Sequence, residues 1–295
     1  MQKEKTIYAL GFFDGVHLGH QALLTACKEL AAEHGCNVGA LTFTSHPDAL
    51  TTGNAPALIN SIEDREQLLF GYGAEIVWQL PFNEEVKNTH WSSFLTQLLE
   101  SDAAGFVCGS DFRFGAGGLG TAKKLAAFCE KRGLPYAVVP QQTFKGIRVS
   151  STHIRQILED GDTLNAESFL GHPHILTGRV VAGQGLGHTI GIPTANVEVP
   201  EGVLLPKQGV YACGVVVGEE TYTALTNIGS RPTVNGQHVT MESWLMDFDG
   251  DLYGKTITVV FIAYLRPEEK FNSLEELKTQ IEKDAAQIRK ILEKS

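Results

Sequence analysis

The segment GFFDGVHLGH, residues 11–20, decides the fold of the first half of the chain. It follows a short apolar run at 7–10 and precedes the helical apolar spacing of Leu23, Leu24 and Cys27. The segment therefore lies on a turn from a strand to a helix, which is where open α/β sheets bind nucleotides. Its glycines let the backbone approach a ligand closely, and the N-terminus of the following helix offers unpaired N–H groups to a phosphate.

Two histidines in this segment predict its chemistry. His17 and His20 are three residues apart, so at the start of a helix they lie on the same face. Two imidazoles beside the positive end of a helix dipole suit the charge that develops on a pyrophosphate, which predicts nucleotidyl transfer. The alternative is a chance match in which His17 only caps the helix.

The composition excludes several other classes of protein. With 295 residues, of which 43% are hydrophobic, the chain is long enough for two domains with proper cores. The formal net charge of −10 argues against general binding of nucleic acid or acidic membranes, and no apolar stretch reaches the ~18 residues of a membrane helix. The five cysteines show no CxxC pairing and no apolar signal core is present, so we expect a cytoplasmic protein with reduced thiols. Nothing in the sequence indicates an oligomer.

Strand and helix patterns alternate through the first half. The predicted strands are 7–12, 38–43, 75–80, 105–108 and 136–139, and the predicted helices are 21–34, 61–72, 92–99, 122–131 and 151–158. Short strands separated by helices predict a Rossmann-like α/β domain with a parallel sheet covered on both faces. We assign this domain to residues 1–168, because Gly161, Gly171 and Pro173 mark a junction around 159–174.

The periodicity changes in the second half, which we assign to residues 169–295. Its β patterns, at 177–181, 209–217, 222–227, 241–248 and 255–264, have no helices between them and predict a small barrel or sandwich. A final helix at 274–292 has a regular apolar stripe, and Ser273 and Glu276 form a capping box at its start. We expect the stripe to pack on the β domain.

Three further segments of the first half support the prediction of a nucleotide site. His46 and Asp111 follow the second and fourth predicted strands, at the carboxyl ends where such folds bind nucleotides. In RVSSTHIR, residues 148–155, hydroxyls and arginines meet a helix N-terminus, where Arg155 can hold a phosphate through two hydrogen bonds. Each segment also has a purely structural explanation, with Asp111 as a turn residue and the Ser-Ser-Thr run as an ordinary cap.

Two segments indicate a second site in the β half. Four glycines within 183–191 permit a loop that wraps closely around phosphates, although a plain glycine-rich turn fits equally well. Thr194 and Asn196 supply hard oxygen donors of the kind that suit phosphate-bound Mg²⁺. Glu242 lies in the alternating run 240–245, where an acidic residue most often faces solvent.

The motifs of the first half resemble those of a known family. GFFDGVHLGH, SDFRFG at 110–115 and RVSSTHIR are similar to the adenylyltransferase module of prokaryotic bifunctional riboflavin kinase/FAD synthetases, a branch of the HxGH nucleotidyltransferases. The resemblance implies that FMN attacks the α-phosphorus of ATP directly, without a protein nucleophile. It assigns the ATP phosphates to His17, His20, Ser151, Thr152 and Arg155. It implies further nucleotide contacts at Gly11, Phe12, Asp14, Gly19, His46, Asp111 and Arg148.

The second half resembles the riboflavin kinase family. The matching segments are GIPTAN at 191–196, NIGSRPT at 227–233, DLYG at 251–254 and LRPEEKF at 265–271. The resemblance implies a six-stranded β-barrel, with Glu242 as the base for the ribityl 5′-hydroxyl and with Thr194 and Asn196 at a Mg-ATP site. It assigns further nucleotide contacts to Gly183, Gly187, His188, Thr194 and Asn227.

Four residues depart from the family pattern. The family usually has Asp-Pro where this chain has Thr44 and Ser45, and an acidic residue where it has Thr121. It commonly has arginine where this chain has His188, which would make a phosphate contact there sensitive to pH.

Together the motifs predict a bifunctional enzyme that uses ATP and Mg²⁺ to convert riboflavin to FMN and FMN to FAD. Its partners are then riboflavin, FMN, FAD and ATP, with no nucleic acid and no membrane. One alternative is a riboflavin kinase whose first half has lost adenylyl transfer, which Thr44, Ser45 and Thr121 would favour. Another is a flavin-binding protein without turnover, against which the two complete catalytic sets argue.

Overall fold

The computed structural model describes residues 5–183, 187, 191–233 and 236–293. Within the range 231–238 the side chains are not described. The chain divides into two units, Met1–Ser151 and Thr152–Ser295. Within the described ranges, none of the helices has both the length and the hydropathy that crossing a membrane requires.

A parallel sheet of five strands forms the centre of the first unit. Its strands are β1 (Thr6–Leu10), β2 (Asn37–Phe43), β3 (Ile76–Leu80), β4 (Ala103–Gly109) and β7 (Tyr136–Val139), in the order β3-β2-β1-β4-β7. The short hairpins are β5 (Arg113–Phe114) with β6 (Gly120–Thr121), and β8 (Thr143–Phe144) with β9 (Ile147–Arg148). All five predicted strands of the sheet are present, and the predicted Rossmann-like α/β fold is confirmed.

Helices cover both faces of this sheet. They are α1 (Leu18–His34), α2 (Pro47–Thr51), α3 (Ile62–Gly71), α4 (Glu84–Asn88), α5 (Trp91–Ser101) and α6 (Ala122–Glu130). The alternation of β1 shows the two layers, since Ile7 packs with Leu24 of α1 while Tyr8 packs with Leu95 of α5. We predicted β1 to reach residue 12, but it ends at Leu10 because the backbone turns into a loop with a left-handed residue at Phe13.

The second unit is a closed antiparallel barrel of six strands. The strands are β10 (His174–Val181), β11 (Ala195–Glu198), β12 (Gly209–Val217), β13 (Glu220–Thr233), β14 (Gly236–Leu245) and β15 (Thr256–Arg266), in the order β10-β11-β14-β13-β12-β15. The predicted barrel is confirmed, including the six strands that the family resemblance implies. Our strand predictions missed β11, because four residues are too few to show a period of two.

Three helices accompany the barrel. The helix α7 (Ser151–Glu159) begins where predicted, and α8 (Thr163–Leu170) lies in the stretch that we predicted as a junction and packs on β10 and β15. The C-terminal helix α9 (Leu274–Leu292) packs Ala285 and Ile288 against the outside of the barrel, as its stripe predicts. The hydroxyl of Ser273 caps it, but the carboxylate of Glu276 accepts from the N–H of Asn272 instead of that of Ser273. The domain boundary at 168 stays a prediction.

Candidate active sites

The GFFDGVHLGH segment forms a strained loop between β1 and α1. Phe13 and Val16 have left-handed φ angles of +59° and +37°, and Gly15 between them has +80°. Residues other than glycine rarely adopt this conformation, and a β-branched residue least of all. The Phe13 and Val16 side chains are both fully buried, so packing holds the backbone in this shape.

The loop brings His17 and His20 together at the N-terminus of α1. Their rings stack with centroids 3.7 Å apart and planes 10° apart. His17 also caps the helix, because its Nδ1 accepts the backbone N–H of His20 at 3.4 Å. Burial, reinforced by His17 and then by the cation of Arg65, holds the pKa of His20 well below its usual value. His20 is therefore uncharged, and its buried Nδ1 has no hydrogen-bond partner among the described residues.

Other predicted residues lie around the same loop. The hydroxyl of Ser151 donates to the carbonyl oxygen of Asp14 at 2.9 Å, and the Asp14 carboxylate accepts the N–H of Ile59 at 2.9 Å. With 2% of its surface exposed, Asp14 supports backbone and presents little surface to a ligand. His46 caps α2 and packs edge-on against the Phe12 ring, with centroids 4.8 Å apart.

Two glycines of this segment are in close contact with its aromatic side chains. A Cβ at Gly11 would lie 3.1 Å from the ring of Phe13, and one at Gly19 would lie 3.1 Å from the ring of His17. Both distances are tighter than ordinary van der Waals contact, so the glycines allow these rings to pack on the loop.

Asp111 and Arg148 form a pair on the surface of the first unit. Nη2 of Arg148 lies 2.5 Å from Oδ2 of Asp111, which also accepts a hydrogen bond from Gln141 at 3.1 Å. The guanidinium remains half exposed, so a phosphate can still reach it. Thr152 and Arg155, the other predicted phosphate-binding residues, lie on α7 in the second unit.

The structure gives Thr121 a local role. Its hydroxyl accepts the N–H of Lys124 at 3.3 Å and so caps α6. Threonine is a common N-cap, so at this departure from the family pattern the side chain stabilises the start of α6. At the other departure, the backbone N–H of Thr44 donates to the carbonyl of Leu80 on the neighbouring strand β3, a contact that does not depend on the side chain.

A cavity of about 330 Å³ lies in the second unit. Its lining combines apolar and aromatic side chains with a few polar groups, which suits a flat ligand with a polar tail. The lining residues are Gly187, Ile192, Thr194, Val210, Leu225, Asn227, Glu242, Trp244, Arg266, Glu268, Glu269, Phe271, Leu277 and Ile281.

Strand register brings three predicted residues into one row. On β14, Glu242 stands opposite Asn196 of β11 on one side and Asn227 of β13 on the other. Directly opposed residues of antiparallel strands project from the same face, so these polar groups are neighbours. Glu242 is partly buried and lines the cavity, which is not the solvent-facing placement usual for an acidic residue.

The glycine-rich segment approaches this row closely. A Cβ at Gly183 would lie 2.0 Å from the amide nitrogen of Asn196, and one at Gly187 would lie 2.2 Å from the carbonyl oxygen of Ile192. The contact at Gly187 is with backbone, so only glycine fits there, whereas at Gly183 the Asn196 side chain would have to move to admit a Cβ. His188, also predicted to contact the nucleotide, falls outside the described residues.

The sequence did not identify several polar residues near these sites. Glu268 accepts a hydrogen bond from the Asn227 amide at 3.0 Å, and Arg266 forms a buried ion pair with Asp284 of α9 at 2.8 Å. The sequence could have indicated the burial of Asp284, because this charged residue lies beside the apolar stripe of α9. No sequence signal marked Arg65, a fully buried arginine on α3.

Comparison with known proteins gives matches over nearly the whole chain. Residues 1–153 match the family model of FAD synthetase, and residues 170–292 match that of riboflavin kinase. The bifunctional riboflavin kinase/FMN adenylyltransferase of Escherichia coli K12 is 39% identical over 290 residues, which cover 96% of this chain and 91% of that protein. The protein of the same name from Listeria monocytogenes is 33% identical over 287 residues, with the same coverage.

A solved structure also matches both units. It has a TM-score of 0.88 and 29% sequence identity, and the match covers 98% of this chain and 95% of that one. It bears the name macrolide-efflux protein, from Streptococcus pneumoniae.

Proposed function

This chain belongs to the family of bifunctional riboflavin kinase/FMN adenylyltransferases, and from that premise we propose which of its residues carry out each reaction. It is a transferase that phosphorylates riboflavin to FMN with ATP and then transfers AMP from ATP to FMN, which gives FAD and pyrophosphate. The observation that carries the assignment is that each unit brings together the central residues of one predicted set. These sets are the stacked His17 and His20 at the start of α1, and the row of Asn196, Glu242 and Asn227.

The first set serves adenylyl transfer. The phosphate of FMN attacks the α-phosphorus of ATP in line, and the enzyme contributes positioning and charge stabilisation. An uncharged His20 donates a hydrogen bond to a phosphate oxygen, and the N–H groups at the start of α1 add to it. The hydroxyl of Ser151 and the guanidinium group of Arg148 hold further phosphate oxygens, and for Thr152 and Arg155 the phosphate-binding role rests on the family resemblance alone. For Arg148, phosphate binding exchanges the contact with Asp111 for one with the nucleotide.

The second set serves phosphorylation of riboflavin. The carboxylate of Glu242 accepts the proton of the ribityl 5′-hydroxyl while that oxygen attacks the γ-phosphorus and ADP leaves. The apolar walls of the cavity, including Trp244 and Phe271, suit the flat ring system of the flavin. Asn227, held by Glu268, orients the polar end of the substrates. Gly183, Gly187 and His188 keep the nucleotide-binding role that the family resemblance implies.

Mg²⁺ is the metal that we propose for the ATP of the kinase reaction. Thr194 and Asn196 would hold it, because Mg²⁺ is commonly bound by one or two protein oxygens together with substrate phosphates. The residues fit this role, since Thr194 lines the cavity and Asn196 stands opposite Glu242, which lines it as well, so both can offer side-chain oxygens there. When bound, the ion neutralises charge on the phosphates.

We also propose a cytoplasmic location. All five cysteines are free thiols, and burial raises the pKa of Cys27 to about 11 and that of Cys108 to about 12. Inert, reduced thiols of this kind are usual in cytoplasmic proteins.

The two activities are tested together by product analysis. The purified chain is incubated with riboflavin, ATP and Mg²⁺, and FMN, FAD, ADP and pyrophosphate are separated and quantified. We expect ADP to equal the sum of FMN and FAD, and pyrophosphate to equal FAD. FMN and ADP without FAD would instead support the kinase-only alternative, and binding of flavin without any product would overturn both assignments.

A further inference from the structure

Arg65 is the largest fully buried side chain of the described residues, with 1% of its surface exposed. It lies on α3, in the first unit. Removing a guanidinium from water is costly unless its N–H groups find acceptors and its charge is compensated. Burial lowers the pKa of Arg65, and the carboxylates of Asp14 and Glu63 act in the opposite direction.

The side chain joins the ends of two neighbouring strands. Nη1 donates to the carbonyl oxygen of Phe12, just beyond β1, at 3.0 Å, and Nη2 donates to that of Phe43, at the end of β2, at 2.7 Å. The guanidinium also lies over the ring of Phe12, 4.6 Å from its centre. A planar fork with several donors is the group that can make all three contacts at once.

These contacts fix the start of the strained loop. The carbonyl of Phe12 also accepts a hydrogen bond from the hydroxyl of Thr42 at 2.8 Å, so it is held from two directions. The next residue, Phe13, is the first of the left-handed residues that lead to His17. Such a conformation persists only where its surroundings over-determine it.

We propose that Arg65 is a positioning residue for adenylyl transfer. It acts through the carbonyl groups of Phe12 and Phe43 and the ring of Phe12, and so sets where the loop presents His17, His20 and the N-terminus of α1. This inference rests on the proposed role of those histidines in the adenylyl transfer reaction.

The test compares Arg65→Met, Arg65→Lys and Thr42→Val in the full chain. The readout is the rate constant of FAD formation in a single turnover, with enzyme in excess of FMN and with saturating ATP. With active enzyme also well above its Kd for FMN, a fraction of unfolded enzyme does not lower the rate constant, whereas a misplaced loop does. We expect about a 100-fold loss in Arg65→Met, because a displacement of about 1 Å in an active site has an effect of that size. Arg65→Lys should recover part of the rate, and Thr42→Val should lose about 3- to 10-fold.

Two controls isolate the effect. FMN formation in the same preparations reports on the barrel and should stay within twofold of wild type. Arg132→Met removes an arginine of the same unit that also stacks on a ring, that of Phe128 at 3.7 Å, and it should leave the FAD rate unchanged.

The possible outcomes distinguish a failure of the positioning role of Arg65 from a failure of the proposed adenylylation site. A wild-type rate in Arg65→Lys and Thr42→Val, or in a folded Arg65→Met, overturns the positioning role. If His20→Ala, measured alongside, also keeps the wild-type rate, the assignment of the adenylylation site itself fails. If Arg65→Met does not fold, the rate constants of Arg65→Lys and Thr42→Val still decide: values below wild type support the positioning role, and wild-type values overturn it.

Discussion

The two sites hold their reactive groups by different means. In the α/β unit the histidines depend on a short loop whose left-handed residues Phe13 and Val16 are held by buried side chains. In the barrel, Glu242 owes its place to strand register, with Asn196 and Asn227 directly opposite. A loop can shift by fractions of an ångström, whereas a change of register moves a side chain to the other face. We therefore expect the adenylylation site to respond gradually to changes around it and the kinase site to depend mainly on the identity of its own side chains.

The largest expected effect is the loss of the proposed base, Glu242, in the barrel. Glu242→Gln keeps the size of the side chain but cannot accept the proton of the ribityl hydroxyl. We expect FMN formation to fall about 1,000-fold, within the range that general bases contribute, while FAD formation from added FMN stays within twofold. Steady-state rates with separated flavin products measure both. Glu220→Gln on β13 is the matched control, and near-normal kinase turnover in Glu242→Gln would show that another group is the base.

Removal of His20 tests the proposed adenylylation site of the α/β unit. In His20→Ala we expect FAD formation to fall about 100- to 1,000-fold, as when one stabilising donor is lost from an active site, with FMN formation retained. The same chromatographic assay reports both reactions. His34→Ala changes an exposed histidine at the other end of α1 and should affect neither. Equal loss of both products in His20→Ala would contradict the separation of the two sites.

The buried ion pair between Arg266 and Asp284 tests how the wall of the kinase cavity is held. Breaking such a pair leaves an uncompensated charge, so Asp284→Asn should lower the free energy of unfolding of the barrel by about 3 kcal/mol. Because Arg266 and α9 line the cavity, we also expect a higher KM for riboflavin. Denaturant unfolding measures the first effect when it is followed by Trp244 fluorescence in a background where Trp78 and Trp91 are replaced by Phe. Glu269→Gln, which alters an exposed partner 3.9 Å from Arg266, should change stability by less than about 1 kcal/mol.

The smallest expected effect concerns a buried histidine without an assigned reaction. Burial, with a smaller contribution from His172, lowers the pKa of His174 to about 3. Below about pH 6.5 the unfolded chain binds a proton at His174 that the folded barrel does not, so the free energy of unfolding decreases as the pH falls. From pH 6.5 to pH 5 this amounts to about 2 kcal/mol, which His174→Leu should remove from the pH dependence of unfolding. His20 contributes in the same direction in the other unit, so some dependence should remain. An unchanged slope in His174→Leu would mean that the histidine is not held neutral.

Local patterns in the sequence account for what could be predicted. The alternation of strands and helices fixes the parallel sheet, and the spacing of His17 and His20 fixes their shared face. The GIPTAN segment and the position of Glu242 pointed to a second site through family resemblance, although the residues alone favoured a solvent-facing carboxylate. In each of these cases the information lies within a few residues of the chain.

What could not be predicted depends on partners far apart in sequence. Arg65 finds its acceptors at Phe12 and Phe43, and nothing in the pattern of α3 indicates that its cation is buried. The contact of Arg148 with Asp111 is of the same kind, because the sequence predicted a nucleotide contact for each residue separately and gave no sign that they pair. Buried charges and ion pairs follow from the tertiary fold, and a single sequence does not reveal which distant groups will meet.

The closure of the barrel has a consequence for the order in which the chain folds. Pairing of β10 with β15 joins His174 to Phe261, so the ring cannot close until the last strand is available. All five strands of the parallel sheet are available by Val139. Domains generally fold as units during synthesis from the N-terminus, and distant pairing is slow. A ribosome-bound chain stalled before residue 256, where β15 begins, should therefore have an ordered parallel sheet but neither a closed barrel nor the cavity beside Glu242.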